Sequence, residues 1–293
     1  MIRDFIYAKA KTLEEALDLI DRHIEDYKII CGGQSLLILM RQGLVAPEYL
    51  IDIKNVEELD YLNFEDKKGL RIGATTTHRT IELSPIIKGK YPVLTDMEKN
   101  LASIQTRNWG TIGGNLCHGD PAGDPGPVFM AMNGSVKLAS KRKTRTLPLD
   151  EFFIDYFETA LEEGELLCEV QLPPIPLRTA VAYEKFNIIK NDQGIVSVAA
   201  AITLESNGLG CKDARIVLGA AAPAPIRARD AEKMLIGEKI STNLLKKVAE
   251  KASEEADPVA DIHASEEYRR SLVNALTKKM VKKAWNQARA LAK

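Results

Sequence analysis

Glycine dominates the stretch Arg107-Asn108-Trp109-Gly110-Thr111-Ile112-Gly113-Gly114-Asn115, and the turn-forming run Asp120-Pro121-Ala122-Gly123-Asp124-Pro125 follows it. Such a stretch restricts the fold, because glycine lets main chain come close to a ligand and take up positive φ. Consecutive exposed N–H groups can then form a nest for an anion such as a pyrophosphate. Asp124 followed by Pro125 reads as an N-cap and first-turn proline opening a helix through residue 133. A helix start beside a glycine turn is an anion site. A second glycine turn lies upstream. The apolar run Lys28-Ile29-Ile30 leads into Cys31-Gly32-Gly33-Gln34-Ser35, and residues 36–42 read as a helix. Strand, glycine turn, helix is the grammar of phosphate-binding loops.

Composition narrows the class. The 293 residues are 45% hydrophobic and 28% charged, an ordinary globular profile with length for about two domains. A net charge of −1 gives no reason to expect nucleic acid or an anionic membrane as partner. No apolar run reaches membrane-spanning length. Residues 1–11 are mixed and charged, unlike a secretory leader, so a cytoplasmic protein is expected. The cysteines Cys31, Cys117, Cys168 and Cys211 and the histidines His23, His78, His118 and His263 are scattered without metal-ligand spacing. No metal site is expected on this chain.

Along the chain, Thr12-Leu13-Glu14-Glu15 is a capping box for a helix over 13–23. Strands are expected at 28–30 and 49–53, and hairpins at 61–65 with 70–73 and at 135–139 with 144–147. The basic tip Ser140-Lys141-Arg142-Lys143 joins the second hairpin. Gly73-Ala74-Thr75-Thr76-Thr77-His78 is a small, hydroxyl-rich loop before another helix, and 91–102 reads as helical. Leu172-Pro173-Pro174-Ile175-Pro176 is a stiff linker and marks a domain boundary. Beyond it, 181–186, 196–204 and 214–218 read as three strands, followed by helices at 227–235, 242–255 and 265–292. The chain lacks G-x-G-x-x-G after a strand, G-x-x-x-x-G-K-[ST] and G-x-S-x-G. A cofactor that brings its own redox chemistry suits those absences better than a side-chain catalyst.

The two glycine segments, in this order, resemble those of the FAD-binding medium subunits of molybdenum hydroxylases. These are the flavoproteins of carbon monoxide dehydrogenase, nicotinate dehydrogenase and xanthine dehydrogenase. Cys31-Gly32-Gly33-Gln34-Ser35 is similar to the family's A-G-G-x-S, with Cys for Ala, and Thr111-Ile112-Gly113-Gly114-Asn115 to its T-I-G-G-N. Asp120-Pro121-Ala122-Gly123-Asp124 and Pro127-Val128-Phe129-Met130-Ala131 extend the likeness. The resemblance implies an α+β fold. A two-lobed FAD-binding domain of the vanillyl-alcohol-oxidase-like (PCMH) type would span 1–174, with lobes at roughly 1–57 and 58–174. A smaller domain with a three-stranded antiparallel sheet and helices would span 177–293.

The resemblance also implies that Cys31, Gly32, Gly33, Gln34 and Ser35 wrap the FAD pyrophosphate through backbone N–H groups. Thr111, Gly113, Gly114 and Asn115 would do the same from the other lobe. Asp124 would accept hydrogen bonds from ribose or ribityl hydroxyls, a role compatible with a plain helix cap. Thr76 and Thr77 lie in a loop that approaches the cofactor in relatives, or form an ordinary turn. Lys185, in Tyr183-Glu184-Lys185-Phe186, would approach the flavin ring, or stand as a surface lysine on a strand. The run 187–192 lacks the arginine that relatives often carry. In function, the resemblance implies an electron-transfer subunit with FAD alone. A large subunit would hold molybdopterin and a small one two [2Fe–2S] clusters, assembled as a dimer of heterotrimers (a heterohexamer). Electrons would leave through FAD to NAD or another acceptor. The alternatives are a stand-alone flavin oxidase and a scaffold that has lost FAD.

Overall fold

A computed structural model describes residues 2–292. Residues 1 and 293, the outer ends of the two expected domains, lie outside the described residues. The first layer is a parallel sheet of Ile6–Lys9, Tyr49–Asp52 and Tyr27–Ile30, in that spatial order. Helix Leu13–Arg22 packs on it through Ala16 and Ile20, and the Thr12 hydroxyl caps it by accepting from the Glu15 N–H at 3.1 Å. Its core is shared with the next layer: Ile51, Ile53, Val56 and Leu59 pack against Ala139, Leu166 and Cys168.

That next layer is an antiparallel sheet in the order Leu62–Glu65, Gly69–Gly73, Leu166–Leu172, Ser135–Ala139, Thr144–Pro148. Its central strand, Leu166–Leu172, was not foreseen, because the proline run beside it reads as linker. It is buried at five of its seven positions, and its two neighbours in the sheet come from far apart in the chain. Between Gly73 and Ser135 six short helices are folded under the sheet: His78–Leu83, Pro85–Lys90, Pro92–Asn100, Ile104–Trp109, Ile112–His118 and Pro125–Ala131. The helix expected over 91–102 is Pro92–Asn100, and the one expected through residue 133 ends at Ala131.

The last layer corrects the expected three strands. It is a four-stranded antiparallel sheet, Thr179–Phe186, Val196–Leu204, Cys211–Gly219 and Ile226–Arg227. The fourth strand is two residues long, too short for any alternation to register. Helices Thr242–Glu255 and Glu266–Leu291 cover one face with Leu245, Val248, Val273, Leu276 and Met280. The other face is not solvated. Ala199, Ala201 and Val217 enter the core of Val128, Phe129 and Leu94. The strand Val196–Leu204 is therefore buried on both sides and reads as a continuous apolar run. The proline linker joins two units that share a core.

Ala199→Asp, which would place an unpaired charge in that shared core, is expected to cost roughly 3 kcal/mol or more. Urea denaturation of the parent should show one transition, with the variant's midpoint clearly lower.

Candidate functional site: a cofactor cradle between two sheets

The first glycine loop leaves the edge strand Tyr27–Ile30 of the parallel sheet and enters helix Leu36–Gln42. Gly33 sits at φ +67°, the left-handed region that glycine tolerates. The Gln34 side-chain amide donates to the Gly32 carbonyl at 2.9 Å. Among the described residues, no protein acceptor meets the main-chain N–H groups of Gly32, Gly33, Gln34 and Ser35. Gly32, Gly33 and Ser35 are half-buried and Gln34 is exposed, so these donors form an accessible row of the kind that can act as a nest for an anion. Burial pushes the Cys31 thiol up to about 11, so it stands neutral as a small filler.

The second segment behaves otherwise. Residues Ile112–His118 form a helix, capped by the Thr111 hydroxyl, which accepts from the Gly114 N–H at 3.3 Å. The Ile112 N–H donates to Thr76 O at 3.0 Å, Gly113 N–H to Ala74 O at 2.9 Å and Asn115 N–H to Thr111 O at 2.9 Å. The expected row of free N–H groups over 112–115 is therefore engaged within the protein. Gly113 is needed for packing, since a Cβ there would lie 2.7 Å from Ala74 Cβ and O. The segment is pinned to the loop before helix His78–Leu83, and the His78 N–H holds Gly110 O at 3.0 Å. Thr76 and Thr77 have structural roles in that loop. The Thr76 hydroxyl donates to Tyr61 O at 3.0 Å, and the Thr77 hydroxyl caps the helix by accepting from Thr80 N–H at 3.1 Å. Thr75, which sequence reasoning passed over, is buried and its hydroxyl has no partner among the described residues.

The two segments touch. A Cβ on Gly32 would stand 2.4 Å from the Trp109 carbonyl oxygen and 2.7 Å from Gly110 Cα. A Cβ on Gly110 would stand 3.5 Å from Gln34 Cγ and 3.3 Å from His78 Cδ2. Glycine on both sides lets backbone meet backbone, so the loop of the parallel sheet and the segment beneath the antiparallel sheet form one cradle.

Asp124 occupies the N-cap position of Pro125–Ala131, but its φ of −65° and ψ of −39° are helical and its side chain caps nothing. The carboxylate turns instead to strand Thr179–Phe186. It accepts from the Tyr183 hydroxyl, and from Lys185 Nζ at 2.7 Å. Tyr183 and Lys185 share a strand face two residues apart, while Glu184 points away to Lys279 Nζ at 2.5 Å. The Lys185 side chain is 5% exposed, so it is no surface lysine. Burial pushes the Asp124 carboxyl above the usual carboxylate range, against the pull of Lys185, Tyr183 and His78. Burial also holds the Tyr183 hydroxyl well above the ordinary phenol range. Asn115 lies close by, its Oδ1 3.5 Å from where a Gly123 Cβ would stand.

Comparison with known families assigns both parts of the chain. Residues 3–175 match the FAD binding domain in molybdopterin dehydrogenase, and residues 181–284 the CO dehydrogenase flavoprotein C-terminal domain. The chain belongs to this family of FAD-binding medium subunits. It is 33% identical to the glyceraldehyde dehydrogenase medium chain of Sulfolobus acidocaldarius, over 95% of this chain and 98% of that one. It is 35% identical to the nicotine 6-hydroxylase medium subunit of Paenarthrobacter nicotinovorans, over 95% and 96%. Among solved structures, a chain of carbon monoxide dehydrogenase from Hydrogenophaga pseudoflava superposes with a TM-score of 0.94 at 31% identity, covering 98% of this chain and 99% of that one. As a family member the chain is an oxidoreductase component with an FAD-binding domain and a smaller sheet domain. The cradle suits FAD: the unpaired main-chain donors of residues 32–35 can meet the negative charge of its diphosphate. Among the described residues, no helix is long and apolar enough to cross a membrane.

The buried Asp124–Lys185 pair generates a pH-dependent prediction. Lys185→Met leaves the carboxylate without its cation and is expected to cost roughly 3 kcal/mol at neutral pH. With its carboxyl raised, the folded protein binds this proton more tightly than the unfolded chain, so stability falls as pH rises from about 3.9. The deficit of Lys185→Met should therefore shrink as pH is lowered, and Asp124→Asn in the same chain should remove its pH dependence. Urea midpoints measured across pH check both.

Proposed function

We propose that this chain carries FAD in the cradle and serves as the electron-transfer subunit of a molybdenum hydroxylase. Electrons arrive from [2Fe–2S] clusters on a small partner subunit, a large partner subunit holds the molybdopterin, and NAD or another external acceptor takes them away. The assembly is a dimer of heterotrimers in the cytoplasm. The FAD-binding unit is residues 1–174, and the remaining unit is 177–293. The observation that carries the reading is the meeting of the two glycine segments at Gly32 and Gly110 beside four free main-chain N–H groups.

Bound FAD supplies a redox centre able to exchange electrons singly or in pairs. The chain's own residues hold and shield it. Gly32, Gly33, Gln34 and Ser35 bind the diphosphate through main-chain N–H groups, and Cys31 fills the space behind them. Thr111, Gly113, Gly114 and Asn115 shape the opposite wall, which Thr76 and Thr77 fix from below. Asp124 keeps acceptor capacity for a ribose or ribityl hydroxyl beyond its bonds to Tyr183 and Lys185. Lys185 brings positive charge to that same point. No residue is asked to act as general acid or base.

The purified full chain is expected to be yellow and to release FAD, identified by mass, on denaturation. Gly33→Asp adds a Cβ at φ +67° and a carboxylate facing the diphosphate. It should retain less than about a tenth of the parent's flavin, a loss of affinity of 1.4 kcal/mol or more. Equal flavin content in parent and variant would refute the placement of the loop. Native mass spectrometry of the complex checks the large and small partners and their metals.

A further inference from the structure

His78 opens a helix, where side chains are usually wet, yet it is only 2% exposed. Its Nδ1 faces both oxygens of Glu98, at 3.1 and 3.0 Å, and Glu98 is fully buried in helix Pro92–Asn100. Filling this volume did not require a buried carboxylate and imidazole, since an apolar pair would pack there without the desolvation cost. The ring lies at the seam of the cradle. Its backbone N–H holds the Gly110 carbonyl, and its Cδ2 edge and Gln34 Cγ converge on the bare Cα of Gly110. Nε2, bonded to that Cδ2, has no hydrogen-bond partner among the described residues. One ring nitrogen is thus held by Glu98, and the ring edge that carries the other lies beside Gly110, which the Gln34 side chain also approaches.

We propose that His78 binds the cofactor diphosphate, donating its Nε2–H to a phosphate oxygen while Glu98 holds the ring at Nδ1. This rests on FAD occupying the cradle. The arrangement leaves Nε2–H to donate to an anionic phosphate oxygen while the other ring nitrogen is held by Glu98, whose carboxyl is pushed above the usual carboxylate range by burial. Asp124 and Arg107 are the other charged groups acting on the pair from neighbouring helices. Arg107 is itself engaged by Glu82 at 3.0 Å and by the carbonyls of Leu101 and Ala102, and Lys54 lies over the Trp109 ring at 3.7 Å, so His78 is the buried ring donor at the seam. Glu98 is a positioning residue in this scheme, acting through the imidazole.

The test uses the full chain stripped of flavin and reconstituted with FAD. Titration by flavin fluorescence is expected to show His78→Phe binding FAD at least about tenfold more weakly than the parent, the loss of one charge-assisted hydrogen bond. His78→Gln, which keeps an N–H donor, should recover part of that loss. Nitrogen-15 histidine spectra of the parent provide a readout that a purely structural role would not move. The His78 Nε2 signal, assigned by its absence in His78→Gln, is expected to shift as a protonated nitrogen entering a hydrogen bond when FAD is added. An affinity within about twofold of the parent in His78→Phe overturns the proposal, and so does an Nε2 signal unchanged between the apo and FAD-bound forms. Failure of the parent itself to bind FAD overturns the cradle reading and this proposal together, so the two failures are distinguishable.

Discussion

Gly32 and Gly110 meet backbone to backbone, and any side chain at residue 32 would drive a carbon to within 2.4 Å of the Trp109 carbonyl oxygen. That approach ties the loop leaving the parallel sheet to the segment lying beneath the antiparallel sheet. It brings an open row of N–H donors on one side against a wall built from helix Ile112–His118 on the other. Without the approach, the two sheets would still share the core around Ile51 and Leu166. The donors of residues 32–35 would then face solvent and hold nothing, because an anion bound on an open surface competes with water for each N–H.

The two glycine segments share a sequence pattern and divide the labour. The first keeps its donors free. The second engages its own donors with Thr76 and Ala74 carbonyls, so that its glycines serve close packing against Ala74. An anion site needs one wall that gives hydrogen bonds and another that does not yield. Asp124 then couples the cradle to the last sheet, since Tyr183 and Lys185 reach across to it from strand Thr179–Phe186. The shared core of Ala199, Val217 and Phe129 makes that reach rigid.

Much of the fold was legible in local signals. The capping box at Thr12, helix Leu36–Gln42, helix Thr242–Glu255 and strand Val196–Leu204 stand where periodicity and caps placed them. Strand Leu166–Leu172 was missed because it sits against the prolines that read as linker, and the two-residue strand Ile226–Arg227 has no period to detect. The glycine turn at residues 31–35 was legible because strand, turn and helix follow one another in the chain. Thr75, His78 and Glu98 were not. Glu98 is a lone carboxylate inside an ordinary helix, and nothing in the chain marks it as the partner of a histidine twenty positions earlier.

Sequence by itself determined the elements whose reasons are local: which segments are helices and strands, where glycine must stand, and the family to which the chain belongs. Tertiary structure decided which of those glycines offer hydrogen bonds and which only permit contact. It also turned Asp124 from the helix it precedes toward a lysine sixty-one residues away. The physical reason is that a donor is free or engaged, and a carboxylate capping or ion-paired, according to what the fold brings within 3 Å of it. Neighbours in space are a property of the packed sheets, and no local pattern encodes them.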